Sequence, residues 1–129
     1  MAKYKKKLDA DIRCPLEYGL TIFGGKSGEY PQKLYKALMN SQTVLTVWDD
    51  ARLVGLIRVL DDSEMLAQIH YVLVHPEYQG QGIAGRMVEY IKEKYKNFMY
   101  LELMPEDKNN VPFYEKHGFH VMENGAAMQ

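Results

Sequence analysis

The stretch from Leu66 to Ile91, LAQIHYVLVHPEYQGQGIAGRMVEYI, constrains the fold more than any other part of the chain. Residues 66 to 74 are rich in β-branched and aromatic side chains and run into His75-Pro76. The residue before a proline is pushed out of helical space, so the run reads as a strand that stops there. Gly80, Gly82 and Gly85, with Ala84 among them, then make a turn of small residues. A helical pattern follows at once: Ile83, Ala84, Met87, Val88, Ile91 and Tyr95 recur on one face, and Arg86, Glu89, Lys92 and Glu93 take the other. FMYLEL, 98 to 103, reads as the next strand. A strand, a crossover helix over 82–95 and an adjacent strand predict one parallel pair.

The flanking segments supply antiparallel neighbours. PQKLYKALM, 31 to 39, puts Leu34, Tyr35, Leu38 and Met39 on one face behind Pro31 and reads as a helix. TVLTVW (43–48) and LVGLIRV (53–59), joined by DDAR, predict a hairpin, and 66–74 follows across the acidic loop Asp61, Asp62, Ser63, Glu64. Beyond 103 come a loop through Pro105 to Asn109, a short helix over 110–117 with Asn110 as its expected cap, and a final strand from Phe119. That strand is expected to return as a hairpin within FHVMENGAAM, turning at Asn124 and Gly125. Lys3, Lys5, Lys6 and Lys7 flank a short first strand, where their charge would protect a sheet edge. The expected class is α/β (α+β): a mixed, mostly antiparallel central sheet flanked by helices, in a single domain over 1–129.

Composition narrows the function. Sixteen basic against seventeen acidic side chains leave a formal charge of -1, so no overall field draws the chain to nucleic acid or to an anionic membrane. Any anion site must be local. With 47% apolar residues, 129 residues can bury a core without staples, and the one cysteine, Cys14, cannot form a disulfide within the chain. No stretch reads as a signal peptide or a membrane span, and a cytoplasmic location is expected.

The small-residue turn fits two diphosphate patterns. Gly80, Gly82 and Gly85 satisfy the dinucleotide fingerprint G-x-G-x-x-G, with Glu102 near the place of an acidic ribose ligand. Gln79, Gly82 and Ala84 satisfy Q/R-x-x-G-x-G/A, an acyl-CoA pattern. Both use backbone N–H groups without an obstructing Cβ, followed by the positive end of a helix. The dinucleotide reading fails on layout: HPEYQ separates Val74 from Gly80, and too little chain follows Glu102 for the remaining strands. GLTIFGGKSG ends like a P-loop at Gly25, Lys26 and Ser27, but the required first glycine falls on Leu20, and Gly19 is one residue early.

VLVHPEYQGQGIAGRMVEYI followed by FYEKHGF (113–119) resembles the GCN5-related N-acetyltransferase (GNAT) superfamily, from about Leu53 to Phe119. The resemblance implies a sheet splayed between its fourth and fifth strands, with acetyl-CoA in the opening. Val72, Leu73 and Val74 would pair with the pantetheine arm. Gln79, Gly80, Gln81, Gly82, Ile83, Ala84 and Gly85 would hold the pyrophosphate. Relatives place an asparagine before FYEK that helps position CoA; the tighter loop here offers Asn109 or Asn110, with Asn110 preferred. The implied reaction moves an acetyl group to a primary amine of a small molecule or peptide; a non-catalytic acyl-CoA-binding module is the alternative.

The chemistry needs a base for the amine, a donor for the thioester oxygen and an acid for the departing thiolate. By the resemblance, a backbone N–H near Val72, freed by a strand bulge, serves the oxygen. Tyr114 is the acid, and His70, where relatives often carry glutamate or histidine, is the base, with Glu102 in reserve. Each has a plain alternative: Tyr114 packed inward beside Phe113, His70 a hydrogen-bonded strand residue, Glu102 a solvated carboxylate. His117 and His120 lack the carboxylate or cysteine that would complete a metal site, so no metal is expected. The acceptor pocket should come from residues 9–30 and the C-terminal hairpin, whose exposed edge would suit a homodimer.

Overall fold

A computed structural model of the chain describes residues 29–129 and the backbone of Lys3–Lys5. Cys14, the loop around Gly25 to Ser27 and the pocket segment 9–28 lie outside the described residues. Strand β1 (Lys3–Lys5) is followed by helix α1 (Pro31–Met39), β2 (Thr43–Asp49), β3 (Arg52–Asp61) and β4 (Leu66–Val74). A 3-10 turn (Pro76–Tyr78), helix α2 (Ile83–Lys94) and β5 (Tyr100–Leu103) come next, then a second 3-10 turn (Lys108–Asn110) and helix α3 (Val111–Lys116). The strands lie in sequence order, antiparallel from β1 to β4, with β5 parallel to β4. The expected sheet, its parallel pair and its flanking helices are all present.

Alternation of side chains divides the core between the two faces. On one face Leu45, Val54, Ile57, Val59, Ala67 and Ile69 pack against Ile83, Met87, Val88 and Ile91 of α2. On the other, Leu34 and Leu38 of α1 cover Val44, Trp48, Leu53 and Leu56. Gly55 lets α2 lie close: an added Cβ would stand 3.1 Å from Ile83 Cγ2 and 3.4 Å from Met87 Sδ. The far end of α2 is tied to the sheet by Tyr95, whose hydroxyl lies 2.6 Å from Thr43 Oγ1 and donates to Asp61 Oδ2 at 2.5 Å.

Several expected boundaries move. β5 begins at Tyr100, because Phe98 turns inward to meet the Tyr95 ring edge-on at 4.8 Å. Asn110 does not cap α3 with its side chain; the capping carboxylate is Asp107, which accepts from Asn109 N at 2.9 Å and opens a 3-10 turn ahead of the helix. No strand follows α3. Phe119 packs against the core, but the residues beyond it are exposed, and Gly125 N donates to Met122 O in a turn one residue earlier than expected. Glu123, Asn124, Gly125, Ala126 and Ala127 are poor strand formers, and they offer no apolar alternation to hold a hairpin on the sheet.

Candidate active site

Strand β4 is paired on both sides for only half its length. Its register with β5 runs from Leu66↔Tyr100 to Ile69↔Leu103 and ends there, while its pairing with β3 continues to Val74. From His70 onward no strand among the described residues pairs with the β5 side of β4, and the sheet forks. The fork coincides with a bulge: Val59 faces Ile69 and Arg58 faces Tyr71, so His70 is the extra residue. The bulge expected near Val72 therefore sits two residues earlier. Past it Val72 and Val74 pack on the α2 side, and Tyr71 and Leu73 on the α1 side.

The open edge leads to the small-residue turn. His75 is buried; its N–H donates to Val54 O at 2.7 Å, and its Nδ1 accepts from Glu77 N at 3.1 Å, capping the first 3-10 turn. The histidine that reads in sequence only as a residue before proline is thus the brace of this corner. Tyr78 donates to Asp49 Oδ2 at 2.5 Å under the Arg52 guanidinium, which also pairs with Glu77 at 2.9 Å. These contacts fasten the segment to the β2–β3 turn. The Gln79 amide donates to Val74 O at 3.2 Å and closes the end of the strand.

The three glycines do different work. Gly80 and Gly82 have φ of 81° and 80°, and an added Cβ at either would meet no atom of the described residues within 4 Å. They hold a left-handed backbone around open space, where other residues are strained. Gly82 is also the N-cap of α2 and supplies no side-chain cap; the first intrahelical bond runs from Arg86 N to Gly82 O at 3.1 Å. The N–H groups of Ile83, Ala84 and Gly85 are therefore helix-end donors without a partner one turn back. That is a cradle a phosphate fits. Gly85, by contrast, is a packing residue: a Cβ there would stand 3.1 Å from His117 Nε2. His117 Nδ1 lies 2.5 Å from Glu89 Oε2, so this ring fixes α3 against the start of α2.

Helix α3 brings Tyr114 to the α2 side of the sheet. Its ring is half-buried against the core and meets Phe113 at 5.0 Å and Phe119 at 6.1 Å, so the inward packing anticipated for it is present. Burial pushes the phenol above its ordinary value, which keeps the hydroxyl protonated at neutral pH. Asn109 and Asn110 are exposed, and Glu102, in register with Gln68, is exposed on β5.

His70 lies on the other face. Arg58 Nη1 is 2.7 Å from His70 Nδ1, and Arg58 Nε donates to the buried Ser41 Oγ at 2.7 Å. The His70 ring leans on Tyr71 at 4.4 Å. Partial desolvation, then the Arg58 charge, hold the imidazole below its ordinary value, against a smaller opposing pull from Glu106. Arg58 was missed in the sequence, although a lone arginine inside LVGLIRV is the signal that marks it. Among the described residues, no group of three or more His, Cys, Asp or Glu side chains could hold a metal ion, and no helix is long and apolar enough to cross a membrane.

A forked sheet edge that leads to an uncapped helix start can take an extended, phosphate-bearing ligand. Residues 16–119 match the acetyltransferase (GNAT) family, and the chain belongs to it. An N-acetyltransferase of Bacillus methanolicus, named for the lysA 3′ region, is 34% identical over 117 residues, covering 90% of this chain and 92% of that one. A ycf52-like N-acetyltransferase of Prochlorococcus marinus is 28% identical over 99 residues, 73% of this chain but only 55% of its own length. A GNAT-family acetyltransferase structure from Streptococcus pneumoniae TIGR4 superposes with a TM-score of 0.83 at 24% identity, covering 100% of this chain and 96% of that one. The protein is an acetyltransferase, of a family that in general uses acetyl-CoA and amine acceptors.

Proposed function

We propose that this chain binds acetyl-CoA in the β4–β5 fork and transfers its acetyl group to the primary amine of a small molecule or peptide. The observation that carries the proposal is the end of β4–β5 pairing at Ile69, beyond which, among the described residues, no strand covers the β5-side edge from His70 to Val74 that leads to the Gly80–Gly82 turn. In this reading Val72, Leu73 and Val74 offer backbone partners to the pantetheine amides, as an added strand would. Backbone N–H groups of the Gly80 to Gly85 turn take the diphosphate, Gln79 keeps the turn closed, and Asn110 reaches the cofactor from the loop before α3. The bound thioester supplies an activated acyl carbon. Tyr114 holds a proton at its hydroxyl for the departing sulfur, and a backbone N–H at the bulge faces the developing oxyanion.

The proposal extends to a single cytoplasmic domain that works without a metal. It also includes a homodimer formed through the outer edge of β5, where Met99, Tyr100 and Met104 are exposed; sedimentation velocity reads that state directly. Thermal unfolding tests the ligand: acetyl-CoA should raise the midpoint, since a ligand bound only by the folded state stabilises it by mass action, while NAD and ATP should not. Equal shifts with NAD would return the turn to the dinucleotide class. Thioester consumption with a panel of amines tests turnover, and binding without turnover would make the chain an acyl-CoA-binding module.

A further inference from the structure

The Arg58–His70 contact carries more than a structural bond, because its direction is not free. A guanidinium has donors only, so in the 2.7 Å contact Arg58 Nη1 donates and His70 Nδ1 accepts. The lone pair on Nδ1 is then in use, and the neutral ring must carry its hydrogen on Nε2. A second proton could be added only at Nδ1, where it would displace Arg58 and set two cations side by side. Arg58 cannot readily swing away, since its Nε is held by Ser41 and its guanidinium carbon lies 5.8 Å from the centre of the Tyr71 ring.

We propose that His70 serves the reaction as a hydrogen-bond donor and not as its base: Arg58, held by Ser41, locks the imidazole as the Nε2–H tautomer, and that N–H binds an oxygen at the apex of the fork. The inference rests on the acetyltransferase reading for the identity of that oxygen, which belongs either to the acyl carbonyl or to a carbonyl or carboxylate of the acceptor. The position supports it. His70 is the bulged residue at the point where β4 loses β5, and a bulge re-aims a side chain where a strand ends its pairing. Among the described residues, the charged and titratable groups acting on the ring are Arg58 on β3, which disfavours protonation, and Glu106 beyond β5, which favours it less strongly; Tyr71 is its aromatic neighbour on β4. The base is then Glu102 or a water, not the imidazole.

Two measurements on the full chain test the lock and the role separately. A long-range nitrogen–proton spectrum without ligand should show His70 as the Nε2–H tautomer at pH 7, with its titration below that of an ordinary histidine, and Arg58→Met should move that titration up while the desolvation of the ring remains. A Nδ1–H tautomer, or a titration in the wild type that Arg58→Met does not raise, would overturn the lock whatever the enzyme's activity. In kinetics, His70→Gln keeps an N–H donor and an oxygen for Arg58, and should stay within about fivefold of wild type, while His70→Leu should lose about 10², the usual effect of removing one such donor. A loss confined to kcat places the oxygen on the acyl group, and a rise in acceptor KM places it on the acceptor. If His70→Gln is as slow as His70→Leu and the acidic limb of the pH profile vanishes in both, His70 is the base and the proposal is wrong. No turnover with any amine, alongside a locked tautomer, would refute the acetyltransferase reading and leave the lock standing.

Discussion

The two halves of β4 differ in what lies beside them. Leu66 to Ile69 lie between β3 and β5, and Ala67 and Ile69 are buried under α2. Among the described residues, His70 to Val74 have β3 on one side only, and their side chains are at least partly exposed on both faces. One half holds the sheet together and the other holds an edge open. The divide falls on a single extra residue, His70, so one strand can be stable and receptive at once.

Substitutions on either side of that divide should separate stability from binding. The largest effect is expected at Ile69→Ala, where deleting a buried branched side chain costs about 2–5 kcal/mol in denaturant unfolding; acetyl-CoA affinity of the folded fraction should hardly change. An equal loss of affinity would mean that the two halves are not independent. Gly82→Val should do the reverse. A branched residue at φ 80° adds a strain of about 1–2 kcal/mol and fills the open cradle, so calorimetry should find acetyl-CoA affinity reduced by at least about 10² in a chain that still folds. Unchanged affinity would assign that glycine to backbone geometry alone.

Tyr114→Phe should keep ring packing and cofactor affinity while lowering the acyl-transfer rate by up to about 10², as measured by thioester consumption. Loss of binding instead would make the hydroxyl an anchor. Gly85→Ala should be milder, about 1 kcal/mol in stability, since the added methyl meets only the His117 ring, and Glu89 can follow it. The smallest effect concerns pH. Burial, then the bond to Asp61, raises Tyr95 from 10.0 to about 12. The folded state therefore keeps a proton that the unfolded chain loses first. The stability tied to that proton is whole below pH 10 and is lost between pH 10 and 12. Tyr95→Phe should flatten that part of the stability curve relative to wild type.

Much of this was legible in the sequence because the signals are local. An apolar run ended by His-Pro, small residues, and a helical period fix the order strand, turn, helix, and the parallel crossover follows from handedness. What could not be read depends on partners distant in the chain. A bulge leaves no mark in the alternation until the opposite strand is known, so the extra residue was expected near Val72 and lies at His70. Three glycines in a row of motifs looked equivalent, yet Gly85 answers to His117, more than thirty residues on. Arg58 determines which nitrogen of His70 carries hydrogen, and no pattern within HYVLV could report it. The hairpin expected after Phe119 rested on a turn signal alone, and a turn without alternating apolar residues beside it does not make a strand.

The Tyr95 bonds to Thr43 and Asp61 give α2 a fulcrum. One end of the helix is bolted to two strands, and the other, about 18 Å away at 1.5 Å per residue, carries the free N–H groups beside Gly82. Any displacement from a tilt of the helix body is therefore smallest at Tyr95 and greatest at the Gly82 end, where about one degree moves the donors by roughly 0.3 Å. Amide exchange should run slower at Ile91 and Tyr95 than at Met87, and anion binding should narrow that gradient by steadying the long arm of the lever.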